Sequence, residues 1–183
     1  MCTPEHPCTL LLVEDDSDQV TLFEAILALD GQGGFKLRHT DNVKDALEIL
    51  EEGGIDLMLL DLNVRDSLGL DTQDRFAQYK NKVPIVVMTN YSDLSIALEA
   101  TRRGAQEYIV KGDVSGRSLL RIVHITIERH RIVSDLHEMC ADLNEQLRVL
   151  REPASDSHPE AFERIQKIAD RMEARAAKIG SRS

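Results

Sequence analysis

The sequence predicts an α/β fold, in which helices cover both faces of a parallel β-sheet, followed by a helical tail. From Thr9 to about Ile127, apolar runs of strand length alternate with helical patterns, as βαβ units require. Four of these runs stop on polar side chains, and the carboxyl ends of parallel strands meet at one edge of a sheet. From Ser118 to Arg151 there is no Gly or Pro, which favours one long helix.

The first βαβ unit begins at Leu10–Val13, an apolar run of strand length. A helix is predicted over Ser17–Leu29, because Ser17 can cap it and its apolar residues recur at helical spacing. Three glycines between positions 31 and 34 end this helix. Phe35–Thr40 alternates apolar and polar residues, so we predict an edge strand there.

The middle of the chain contains the predicted central strand. Asn42 can cap a second helix, which the Gly53–Gly54 pair closes. The central strand follows over Ile55–Asp61. A loop over 62–69 then leads to a third helix over about 71–80.

The remaining two strands enclose the fourth helix. Pro84 opens the strand Ile85–Thr89, because a missing N–H does little harm at the first residue of a strand. The helix over about Ser95–Arg103 ends at Gly104, and Gln106–Val110 is the fifth strand.

The tail shows a heptad repeat that predicts a coiled-coil-like seam along the long helix. The residues at the a positions are Ile122, Arg129, Leu136, Leu143 and Leu150, and those at d are Ile125, Ile132, Met139 and Gln146. The segment Pro153–Pro159 breaks this helix. A second helix follows, with apolar residues at every a and d position: Phe162, Ile165, Ala169, Met172, Ala176 and Ile179. The resulting hairpin would cover its two apolar stripes by forming a homodimeric four-helix bundle.

Composition restricts the functional classes. The net charge of −10 argues against a nucleic-acid-binding surface, because affinity for phosphate backbones comes from clustered Lys and Arg. No apolar stretch reaches the roughly 20 residues that span a bilayer. The three cysteines, Cys2, Cys8 and Cys140, show no metal-site spacing, so we predict reduced thiols in a cytoplasmic protein.

The polar side chains at the strand ends suit phosphoryl chemistry. Glu14 and Asp15 follow the first strand and provide the oxygen ligands that Mg²⁺ prefers. Asp61 ends the central strand and can attack a phosphoryl group as a nucleophile. Thr89 and Lys111 follow the next two strands and would supply a hydroxyl and a fixed positive charge to the transferred group. We interpret Asp16 as a loop residue.

Taken in order, these residues resemble the receiver domain of bacterial response regulators, of the chemotaxis-regulator type, over residues about 8–127. Tyr108 and Gly69 also stand at the family's positions. The resemblance implies a flavodoxin-like sheet of order 2-1-3-4-5 and a metal site completed by the main-chain carbonyl of Asn63. It also implies a phosphodonor that is a sensor histidine kinase or phosphotransfer protein, and a switch involving Thr89 and Tyr108. A sheet aromatic without a switch role is the alternative for Tyr108.

Three residues depart from the family pattern. Arg65 stands in place of the usual Pro, which should loosen the loop after Asp61 and place a cation near the site. Asn90 replaces a small residue and should restrict access to Asp61. Gly112 replaces a Pro, so a glycine turn must take the place of the family's cis-proline turn.

The tail also contains a motif, from Glu128 to Glu138, that resembles the phosphoacceptor helix of one class of sensor histidine kinases. His137 would be the phosphoacceptor and Glu138 the general base, while Asp142 stands where a Gln often assists phosphatase action. Because no ATP-binding pattern follows, we expect that the chain does not phosphorylate His137 itself. The alternative is a plain coiled coil in which His137 is one exposed histidine.

These observations predict a receiver domain over residues 1–127 and a dimerising or phosphotransfer-like helical hairpin over 128–183. The predicted function is a response regulator that is not an enzyme, is phosphorylated on Asp61 with Mg²⁺, and lacks a DNA-binding output. The first alternative is a phosphorelay intermediate that exchanges phosphate between Asp61 and His137. The second is a scaffold with an inactive receiver.

Overall fold

The computed structural model describes residues 2–3, 5–28, 34–90, 94–113 and 115–154, together with Glu163, Gln166, Lys167, Asp170 and Arg171. Five strands are present: β1 (Cys8–Val13), β2 (Phe35–Thr40), β3 (Leu57–Asp61), β4 (Ile85–Thr89) and β5 (Glu107–Val110). The helices are α1 (Ser17–Ala28), α2 (Val43–Glu52), α3 (Leu70–Asp74), α4 (Leu94–Arg102) and α5 (Gly116–Ala154), with a 3₁₀ turn at Ala77–Tyr79.

The five strands form one parallel sheet of order β2-β1-β3-β4-β5, which confirms the predicted order. All residues of β3 and β4 are buried, whereas β2 at the edge is largely half-buried or exposed. This burial explains why β3 and β4 are continuous apolar runs and β2 alternates. Chain order reverses direction across β1 and β3, so the carboxyl ends of these strands border the crevice in which such sheets bind ligands.

Helices cover both faces of the sheet. Successive strand residues point to opposite faces, so β1 and β3 contribute to two apolar cores. One core joins Leu11, Val13, Met58 and Leu60 to the buried faces of α2 and α4. The other core joins Leu10, Leu12, Leu57 and Leu59 to α1 and to the first part of α5. The structure therefore has the doubly wound architecture that the sequence predicts.

The predicted single helix over 71–80 is wrong. Helix α3 ends at Asp74, and Phe76 leaves the helical conformation with φ −101° and ψ 9°. The Phe76 amide bonds to the Gln73 carbonyl at 2.9 Å, a tighter turn than an α-helix makes. Phe76 is completely buried and Tyr79 nearly so, because the changed turn directs both aromatic rings into the core.

The prediction of three reduced thiols is also wrong. Cys2 and Cys8 form a disulfide, and only Cys140 is a free cysteine among the described residues. Both disulfide cysteines are buried with the core that contains α1 and α5. The bond closes a short loop in which Thr3 and His6 exchange main-chain hydrogen bonds of 3.1 and 3.2 Å. Sequence spacing alone did not reveal the bond, because β1 begins two residues earlier than predicted and places Cys8 inside it.

The chain divides into two compact units, Met1–His130 and Arg131–Ser183. Helix α5 ends at Ala154, close to the break predicted at Pro153. The predicted second helix depends on six apolar residues outside the described ones: Phe162, Ile165, Ala169, Met172, Ala176 and Ile179. No helix in the described part of the chain is long and apolar enough to cross a bilayer.

Candidate functional site

The site lies at the carboxyl edge of the sheet, where four strands end within one crevice. Asp61 is the last residue of β3 and Thr89 the last of β4, while Glu14 and Lys111 directly follow β1 and β5. Main-chain hydrogen bonds continue beyond the strands, since the Lys111 amide donates to the Thr89 carbonyl at 2.7 Å. The parallel register therefore brings together side chains that are up to 97 residues apart in the sequence.

Lys111 bridges two buried carboxylates. Its Nζ donates to Glu14 Oε2 at 2.5 Å and to Asp61 Oδ2 at 2.6 Å. All three side chains are at most 7% exposed. Each charge-assisted contact is strong because water does not compete for it. The predicted nucleophile and the predicted fixed cation are thus in direct contact.

Burial and charge have opposite effects on this cluster. Burial raises the pKa of Glu14, although its hydrogen bond to Lys111 acts to lower it. Burial acts to lower the pKa of Lys111, but the hydrogen bonds and charges of Asp61 and Glu14 together outweigh burial and raise it. Lys111 is therefore held in its charged form beside the nucleophile.

The donor set fits a divalent cation. Glu14, Asp15 and Asp61 each offer a carboxylate oxygen, and these oxygens all lie within 4.8 Å of one another. Asp15 is exposed and the other two are buried, so the cluster is open on one side. A magnesium ion usually binds through one or two carboxylates and keeps several waters, which an open cluster permits.

Asn63 helps to hold the loop beyond the nucleophile. Its main-chain N–H donates to Asp61 Oδ1 at 3.2 Å, and its side-chain oxygen accepts from the Gly69 amide at 3.1 Å. Gly69 adopts φ +64°, a conformation that favours glycine. The loop between Asn63 and Gly69 is thereby closed beside Asp61, and the predicted metal-binding role of the Asn63 carbonyl remains a prediction.

The predicted switch residues lie on neighbouring strands. Thr89 is completely buried at the end of β4. Tyr108 is partly buried on β5, pairs with Val87, and packs against the core that contains α2 and α4. Their positions are compatible with either reading of Tyr108, so its switch role remains a prediction.

The departures from the family pattern have local consequences. Arg65 forms an ion pair with Asp41, with 2.5 Å between its Nη2 and Asp41 Oδ2, and the Val64 and Ser67 main chains pair across the turn. These contacts hold the loop after Asp61 in place, contrary to the expectation that Arg65 loosens it. Gly112 has φ +90° and no peptide bond among the described residues is cis, as expected for a glycine turn. Asn90 is exposed after Thr89.

Two residues of the site region were missed by the sequence analysis. Asp66 accepts from the main-chain N–H groups of Val43 and Lys44 at 2.8 and 3.3 Å, so it caps α2 from the loop after β3. His39 Nε2 lies 2.8 Å from the Glu14 carbonyl oxygen and donates to it, which braces the acidic loop. Both contacts join distant segments, and no local sequence signal could have indicated them.

In the second unit, His137 and Glu138 are exposed on α5. Their exposure agrees with the predicted outer heptad position of His137. It is equally compatible with an ordinary solvated helix face.

Comparison with known proteins gives a family match over the first unit. Residues 10–124 match the family model of the response regulator receiver domain. The transcriptional regulatory protein ZraR of Klebsiella oxytoca is 30% identical over 102 residues, which are 56% of this chain and 22% of that protein. The response regulator protein PilR of Pseudomonas aeruginosa is 33% identical over 107 residues, which are 58% of this chain and 23% of that protein. The chain thus spans less than a quarter of the length of these relatives.

Solved structures support the same fold. A response regulator receiver domain protein from Methanospirillum hungatei has a TM-score of 0.59 at 21% identity, covering 68% of this chain and 97% of that one. NtrX from Brucella abortus has a TM-score of 0.63 at 22% identity, covering 73% of this chain and 29% of that one.

Proposed function

The chain belongs to the response regulator receiver family over residues 10–124, and from this premise we propose that it accepts a phosphoryl group on Asp61 in the presence of Mg²⁺. The observation that carries the proposal is the contact of Lys111 Nζ with Asp61 Oδ2 at 2.6 Å. The donor would be a phosphohistidine on a sensor histidine kinase or a phosphotransfer protein.

In the proposed reaction, a carboxylate oxygen of Asp61 attacks the phosphorus atom, forming a P–O bond as the P–N bond to the donor imidazole breaks. The leaving imidazole nitrogen takes a proton from solvent. Lys111 remains charged and shifts its hydrogen bonds toward the new phosphoryl oxygens, and the Thr89 hydroxyl donates a hydrogen bond to one of them. Glu14, Asp15, Asp61 and the Asn63 carbonyl would hold Mg²⁺, which supplies charge neutralisation when bound.

A direct test uses beryllofluoride, a phosphate mimic, together with Mg²⁺. We expect the wild-type chain to bind it and the Asp61→Asn variant to lose binding. Asp16→Asn is the matched control, because Asp16 is a neighbouring exposed carboxylate to which we assign no ligand role. If the wild-type chain does not bind beryllofluoride in the presence of Mg²⁺, the result would instead favour a scaffold with an inactive receiver.

We propose that the receiver domain spans residues 1–127 and that residues 128–183 form a dimerising tail. We further propose that the protein is a cytoplasmic regulator and not an enzyme. The net charge of −10 supports an output other than DNA binding. ZraR and PilR are both longer than this chain, and the transcriptional role of ZraR is a property of that protein.

A phosphorelay intermediate is the second candidate. It is supported by the motif from Glu128 to Glu138, in which His137 stands beside the acidic Glu138. In this reading, phosphate passes between Asp61 and His137. Phosphohistidine survives alkali and aspartyl phosphate survives acid, so labelling of Asp61→Asn and His137→Gln variants separates the two. Loss of all label in Asp61→Asn, with no change in His137→Gln, would exclude the relay for that donor.

A further inference from the structure

Helix α5 has an exposed apolar stripe within the second unit. Ile132, Leu136, Met139 and Leu143 are 58%, 46%, 54% and 42% exposed. Their spacing of four, three and four residues places them on one helix face at the d and a positions of a heptad. Side chains of this size at this exposure form a continuous apolar surface over about three helical turns.

The residues that flank this stripe differ in charge. On one side, the g positions are the acidic Asp135 and Asp142. On the other side, the e positions are Val133 and Cys140, which are uncharged and half-buried. The stripe therefore has one acidic border and one neutral border.

This asymmetry distinguishes the two ways in which a second copy could pack on the stripe. In a parallel pair, each g residue faces an e residue of the partner helix, so Asp135 would face the neutral Cys140 of the second copy. In an antiparallel pair with the stripes superimposed, g residues face g residues, so Asp135 would face Asp142. Like charges placed in this way are unfavourable.

We infer that the stripe Ile132, Leu136, Met139 and Leu143 is the seam of a parallel, in-register coiled coil with a second copy of this chain. The inference deepens the dimerising tail of the proposed function and rests on it. His137 lies at an outer b position, so this packing leaves its ring accessible.

Cysteine cross-linking tests the orientation in a Cys140→Ser background, with Cys2 and Cys8 remaining in their disulfide. In a parallel pair, identical a positions lie at the same level, so we expect Leu136→Cys to form a covalent dimer under mild oxidation. Ser134→Cys is the matched control, because Ser134 is exposed at an outer f position and should remain monomeric on denaturing gels.

The antiparallel alternative has its own signature. There, position 136 faces position 139 of the other copy, so a mixture of Leu136→Cys and Met139→Cys chains would cross-link while neither did so alone. A native dimer with this result would overturn the orientation but leave dimerisation intact. A monomeric mass by sedimentation, without cross-links in either variant, would overturn the seam altogether.

Two further measurements keep these outcomes interpretable. Met139→Cys is a second parallel probe at a d position, should Leu136→Cys reduce the helix content seen by circular dichroism. Beryllofluoride binding to Asp61 in the same variants reports on the receiver alone. A failed cross-link with intact binding therefore counts against the seam and not against phosphorylation.

Discussion

At the scale of single residues, Lys111 determines the electrostatics of the site, because one cation serves two buried carboxylates. We predict that Lys111→Met lowers the free energy of unfolding by about 3–5 kcal/mol without Mg²⁺, because it leaves buried charges unpaired. Urea unfolding measures the change. Lys36→Met, at an exposed position, should alter stability by no more than about 0.5 kcal/mol. A loss of under about 1 kcal/mol for Lys111→Met would contradict the prediction.

His130 provides a pH-dependent contribution to stability. Burial lowers its pKa, against a smaller raising effect of its hydrogen bond to the Lys82 carbonyl. The unfolded chain therefore binds the proton more tightly. The contribution of His130 to stability is fully present above the ordinary histidine pKa of 6.5. It should be lost as the pH falls from there through the lowered pKa of the folded state.

Unfolding in urea at a series of pH values tests this sign. Acidification below the pKa that His130 has in the unfolded chain should lower the free energy of unfolding. We expect His130→Gln to reduce this loss, whereas His6→Gln should leave it unchanged. An identical pH profile for His130→Gln and wild type would show that His130 is not the group responsible.

At the scale of elements, the loop after β3 stabilises α2 through Asp66. We predict that Asp66→Ala costs about 1 kcal/mol, the usual effect of removing a side-chain cap. Asp66→Asn keeps an accepting oxygen and should cost less. Thermal unfolding of both variants measures the difference, and equal losses would indicate that the carboxylate's charge matters more than its capping geometry.

The Cys2–Cys8 bond fixes the segment that precedes and begins β1. Loop-closure entropy for so short a loop gives a stabilisation of about 2 kcal/mol. We therefore expect Cys2→Ser to lower the unfolding free energy by this amount under oxidising conditions. The difference from wild type should disappear after reduction of both proteins by a dithiol. A persistent difference would assign the effect to packing of Cys2 in the core.

Local signals predicted some elements well. Asn42 caps α2 by accepting a hydrogen bond from the Asp45 amide at 2.8 Å. The sequence could predict this cap because the contact spans only three residues. Gly112 forms the expected turn since its conformation depends on its own backbone freedom. The break after α3 depends instead on the burial of Phe76 in the core. The cap from Asp66 joins residues that are 23 apart in the sequence. Such contacts exist only after the chain has folded.

At the scale of the whole molecule, helix α5 is one element from Gly116 to Ala154. Within the first unit, Leu119, Val123 and Ile127 pack in the core that contains α1. The helix begins shortly after Lys111, whose hydrogen bond to Asp61 would change if Asp61 were phosphorylated as proposed. Between Ser118 and Arg151 the helix contains no Gly or Pro at which such a change would stop, which motivates a coupling between the receiver and the tail.

We predict that beryllofluoride with Mg²⁺ changes amide hydrogen exchange in α5 beyond His130, because a shift at the start of the helix alters the opening equilibria along it. Exchange measured by mass spectrometry over residues 131–145 would detect the effect. The Asp61→Asn variant, treated identically, removes contributions from the salt alone. Unchanged protection in the wild-type tail, alongside changed protection in residues 57–64, would confine the response to the receiver and count against coupling through α5.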